Sequence, residues 1–127
     1  MSLQSQRAIG AVMAIVAVLT LVIALLVQPI GEWGAWGLVI GAVALLFVFI
    51  GLVAVVSKNP NMLMGRRYNQ GSYKWTLIAV IFVGIALVAM LASGFIAGWT
   101  AVTVLQLGTF AALECMLVGS WLATRSQ

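Results

Sequence analysis

Histidine and aspartate are absent from this 127-residue chain, which has one cysteine, Cys115, and two acids, Glu32 and Glu114. Each scarcity removes a class of chemistry. Without imidazole there is no His-ligated haem, no His-containing zinc site and no Ser-His or Cys-His catalytic couple. The two glutamates fall in different predicted regions, so one chain offers no carboxylate pair for acid/base work or for holding Mg²⁺. Cys115 has no partner for an internal disulfide, and within its apolar run it reads as a small hydrophobe. The expectation is a non-enzymatic protein with no cofactor and no metal site.

Charge is scarce as well. Only 6% of residues are charged while 65% are hydrophobic, and the mean hydropathy is +1.22. A water-soluble domain of this length needs far more charge on its surface, so the solvent for most of these side chains is lipid. The sequence predicts an all-α integral membrane protein of one domain, residues 1–127, with four transmembrane helices.

The spans are read from runs without charge. The first covers about 8–27, where Thr20 is the one polar side chain, and it is long enough for a hydrocarbon core of about 30 Å. It exceeds the apolar region of a secretory leader and lacks a small-x-small cleavage site at its end, so a retained span is expected. Gln28-Pro29-Ile30-Gly31-Glu32 then breaks the helix. Further spans are predicted at about 36–56, 75–96 and 100–123, with Ala97-Gly98-Trp99 between the last two. Such short connections imply two antiparallel hairpins. Membrane strands are roughly ten residues long and alternate polar with apolar, whereas these runs are apolar at every phase.

Four crossings put both termini and the loop 57–74 on one side. All six basic residues, Arg7, Lys58, Arg66, Arg67, Lys74 and Arg125, fall on that side, and Glu32 falls on the other. This sorting predicts cytoplasmic N- and C-termini. Trp33, Trp36 and Trp99 are expected at the outer interface, and Trp75 and Trp121, with Tyr68 and Tyr73, at the inner one. Asn59-Pro60 reads as a helix start and predicts a short interfacial helix near 60–68. Lys58, Arg66, Arg67 and Lys74 are expected to contact anionic lipid, at about 1 kcal/mol each. The same loop reads as a topology signal, and no nucleic-acid partner is expected.

Helices in lipid associate where small residues let backbones approach. Gly37-x-x-x-Gly41 followed by Ala44, Ala89-x-x-x-Ser93, Gly94-x-x-x-Gly98 and Ala111-x-x-x-Cys115-x-x-x-Gly119 are the candidate packing stripes. Ile30-x-x-Trp33 recurs as Ile96-x-x-Trp99, each where a hairpin turns.

Glu114 is the unusual residue. It lies about ten residues from the inner end of the fourth span, or roughly 15 Å deep, and an ionisable group at that depth is a functional candidate. Thr103, Gln106 and Glu114 fall within about 80° of one another on a helical projection. A functional stripe would be a proton- or cation-coupled site in which Gln106 and Thr103 add oxygens. A structural one would be a protonated Glu114 hydrogen-bonded to a neighbouring helix or another subunit. The size and span count are similar to those of the small multidrug-resistance transporters, but those place their membrane Glu in the first helix, which here has no acid. The preferred expectation is a structural or accessory membrane subunit, in contact with lipid and with other transmembrane subunits or copies of itself. The alternative is a small oligomeric transporter or channel using Glu114. A holin-like pore former is a third class, whose usual strongly charged tail is missing.

Overall fold

The computed structural model describes residues 3–58 and 70–125, and every long element in it is a helix. Helix α1 spans Leu3–Val27, α2 Gly34–Val56, α3 Gln70–Ala97 and α4 Ala101–Arg125, with a 3-10 turn over Ile30–Glu32. All four helices are long and apolar enough to cross a membrane. The helix expected near 60–68, with Arg66, Arg67 and Tyr68, lies outside the described residues.

The helices run past the apolar runs that predicted them. α1 begins five residues before Ala8, and α3 takes in the last residues assigned to the loop. Hydropathy marks only the apolar stretch of a helix, whereas the backbone hydrogen-bond ladder continues through polar residues at either end.

Sequence-local chemistry sets the breaks. Pro29 cannot donate to the ladder and disfavours helical geometry at Gln28, so α1 stops at Val27. At the end of α3, Gly98 adopts a φ of +95° and donates its N–H to the Gly94 carbonyl over 3.0 Å. This is a left-handed cap that favours glycine. Thr100 opens α4: its Oγ1 accepts from the Thr103 N–H at 3.2 Å and lies 3.0 Å from Thr103 Oγ1, a normal N-cap arrangement.

Small residues face inward and large ones outward. Gly10, Ala14, Ala17 and Ala24 of α1 are buried, as are Gly41, Ala44, Gly51 and Ala54 of α2, while Ile15, Leu19, Leu26, Leu46 and Phe49 are exposed. Those inward positions are spaced three, four or seven residues apart, so each of the two helices offers one stripe of small side chains. Contact at such stripes relies on close backbone approach, the packing mode of helices in lipid.

α1 meets α2 at its tightest where Gly10 faces Gly51. A Cβ added at Gly51 would stand 2.5 Å from the Gly10 carbonyl oxygen and 2.9 Å from the Ala14 nitrogen. α1 meets α4 where the Thr20 side chain fills the space left by Gly108 and where Ile9 covers Gly119. α4 therefore lies at the centre, touching α1, α2 and α3, while α3 is packed mainly on α4. Among the described side chains of α3 only Gly94 is buried.

Two of the five tryptophans pack over glycines close to them in the chain. Trp33 is only 5% exposed, because its ring lies over Gly37 and Gly41: an added Cβ would come within 2.8 Å of Trp33 Cβ at the first and 3.1 Å of its Cζ3 at the second. Trp99 folds back over Gly94 in the same way, with its Cη2 2.5 Å from an added Cβ, and meets Phe95 edge to face at 5.6 Å. Gly37, Gly41 and Gly94 thus receive indole rings from their own helix or its adjoining turn, with Val102 of α4 also against Gly37.

Candidate functional site

Trp33 joins Ala24, Ile40, Ala101 and Leu105 in a buried apolar cluster at one end of the bundle. Gln28 organises that end. Its carbonyl accepts from Trp33 Nε1 at 3.0 Å, and its side-chain Oε1 accepts from the Ala101 N–H at 3.0 Å. One residue after α1 thereby fixes the turn before α2 and caps α4, whose first N–H groups have no partner within the helix. Glu32 is exposed at this end.

The opposite end carries the basic residues. Gln6 is fully buried and reaches the Ala54 carbonyl with Nε2 at 3.5 Å, which brings the start of α1 to the end of α2. Arg7, Lys58 and Lys74 are exposed in this region. Arg66 and Arg67 lie outside the described residues.

Two open troughs lie along α4. One, of about 480 Å³, lies between α2 and α3 over α4, with Trp36, Val43 and Phe47 on one wall, Met90 on the other, and Gln106 and Thr109 along its floor. The other, of about 400 Å³, lies along α1 and α4, with Ala8, Ile9 and Val12 on one side and Glu114, Cys115 and Val118 on the other. The Glu114 carboxyl reaches across to α3, where a Cβ added at Gly84 would stand 3.8 Å from its Oε1.

Each trough holds one unsatisfied oxygen. Thr109 Oγ1 and Glu114 Oε2 are shielded from solvent and have no hydrogen-bond partner among the described residues. Native proteins pair nearly all buried polar atoms, so each exception asks for a reason. Residues 109 and 114 are about 140° apart around the helix, which is why α4 presents one to each trough.

This geometry separates the polar stripe read from the sequence. Thr103 is engaged in the cap of α4, Gln106 faces the α2 side, and Glu114 faces the α1 side, about 12 Å along the helix from Gln106. Thr109, Gly84 and Gln28 were not singled out by sequence. Thr109 carried a legible signal, since it occupies an inward position of α4 four residues after Leu105. Gly84 and Gln28 carried none, because their roles depend on which helix lies opposite.

Within the stripe Ala111, Cys115 and Gly119, Gly119 lies against Ile9, and Cys115 lines the trough beside Glu114. No group of three or more His, Cys, Asp or Glu suited to a metal ion occurs among the described residues. Comparison of the chain with protein-family models, curated proteins and solved structures finds no match.

Proposed function

We propose that this chain is a non-enzymatic, multi-pass membrane subunit that packs into a larger membrane assembly of a cell or a viral envelope. The observation that carries this reading is the position of α3. A 28-residue helix rests mainly on α4, and two buried oxygens of α4, Thr109 Oγ1 and Glu114 Oε2, have no partner among the described residues. Helices in a bilayer gain from close packing and interhelical hydrogen bonds, and these features leave part of both gains unrealised within this chain. Extraction of native membranes in mild detergent should therefore recover the chain in an assembly several times its mass of 13.4 kDa. Recovery as a monomer or dimer would overturn the reading.

In the proposed arrangement α1 with α2 and α3 with α4 form two antiparallel hairpins across the bilayer, with both termini cytoplasmic. Gathering of Arg7, Lys58 and Lys74 at one end and Glu32 at the other supports it. Lys58 and Lys74, with Arg66 and Arg67, then meet anionic headgroups. In a Cys115→Ala background, an impermeant maleimide should label Lys58→Cys only from the cytoplasm and Glu32→Cys only from outside. The reverse pattern would invert the topology.

A small oligomeric proton- or cation-coupled transporter using Glu114 is the second reading, supported by the unpartnered Oε2. It is the weaker one because Gln106 and Thr103 do not gather around Glu114 to make a coordination shell.

A further inference from the structure

Glu114 is the fourteenth of the 25 residues of α4, so its carboxyl stands near mid-length of a helix long enough to cross a bilayer. A carboxyl there is costly and normally finds a partner within reach. The chain supplies no cation at that depth: none of its Lys and Arg residues lies between Ala8 and Ser57 or between Trp75 and Thr124. Glu114 Oε2 is shielded and unpartnered among the described residues.

The shape of the trough narrows the choice of partner. Its lining includes Glu114, Val118 and Leu122 in one row and Ala8 with Val12 in another. Both rows have four-residue spacing, the ridges between which a third helix seats its own side chains. The trough thus runs for about two helical turns from mid-span toward the end of α4 that carries Arg125. A lipid headgroup does not reach mid-span, and a second copy of this chain would bring no mid-span cation. We propose that this trough seats a transmembrane helix of another protein that carries a basic side chain at mid-span, paired with Glu114. This rests on the subunit reading above and names the chemistry of the partner.

The test reconstitutes the full chain in zwitterionic vesicles with a Leu/Ala transmembrane peptide bearing a terminal dansyl group and one central Lys or, as control, Leu. Energy transfer from the chain's tryptophans reports binding. The Lys peptide should bind about tenfold more tightly than the Leu peptide, a difference in the range expected of a polar contact between helices. Glu114→Leu should remove the preference, and Val118→Phe, which fills the trough, should weaken both peptides; circular dichroism melts check that each variant keeps its fold.

Equal binding of the two peptides by the unaltered chain, or a preference that survives Glu114→Leu, would overturn the proposal. Glu114-dependent binding of dodecylamine with no preference for the Lys peptide would also overturn it and assign the trough to a small ligand. In native membranes, a large assembly that persists in the Glu114→Leu variant would remove Glu114 as the partner contact while leaving the subunit reading intact. Recovery of the unaltered chain alone would instead remove the subunit reading, and this inference with it.

Discussion

Gly51→Leu should destabilise the protein by about 3 kcal/mol or more. The new Cβ alone would stand 2.5 Å from the Gly10 carbonyl oxygen, 2.9 Å from the Ala14 nitrogen and 3.0 Å from the Ala14 Cβ. Two of these neighbours are backbone atoms, which no rotamer change can move. Relief requires α1 and α2 to separate, and separation opens the contacts of Ala14 with Gly51 and of Ala54 with Gly10 together. Gly31→Leu is the control, because nothing lies within 4 Å of a Cβ added there and the residue is exposed. It should change stability by less than about 0.5 kcal/mol. Thermal unfolding in detergent micelles measures both, and similar losses at the two positions would mean that the α1–α2 contact is not where this structure puts it.

Gly108→Ala should cost about 1 to 3 kcal/mol through overpacking against Thr20, and the cost should be largely recovered when position 20 is reduced in turn. Thr20 is 5% exposed, and its Oγ1 donates to the Val16 carbonyl at 2.7 Å, which fixes the rotamer that faces Gly108. A Cβ at position 108 would stand 2.5 Å from Thr20 Cβ, with the hydroxyl and methyl of Thr20 closer still. Thr20→Gly alone should lose about 1 kcal/mol, from helix propensity and lost contact. In the double variant the new methyl enters the space that Thr20 leaves, so its stability should resemble that of Thr20→Gly alone. The resulting coupling of about 1 kcal/mol or more is what a double-mutant cycle measures. Strict additivity would show that Thr20 and Gly108 are not in contact.

Both expectations concern glycines that the sequence patterns did not single out. Gly10, Gly51 and Gly108 are the points of closest approach, yet Gly37, Gly41 and Gly94 make the more conspicuous four-residue patterns. A glycine pattern shows that a groove exists on a helix. It does not say what fills the groove, and here Trp33 and Trp99 fill theirs from an adjoining turn while Gly10 and Gly51 admit a second backbone. Both occupants relieve the same packing demand, so the distinction lies in three dimensions only.

The number and approximate placement of the helices followed from the sequence because they depend on local quantities: uncharged runs of sufficient length, Pro29 removing a donor and Gly98 accepting a positive φ. The polar stripe on α4 was legible to the extent that helical periodicity puts Thr103, Gln106 and Glu114 near one side. Its division was decided by tertiary contact. Gln106 and Glu114, within about 80° of each other on a projection, line different troughs. Periodicity gives the direction of a side chain from its own helix axis. Whether that direction ends in a neighbour, a cap or an open trough depends on where the other axes lie, which is a property of the whole bundle.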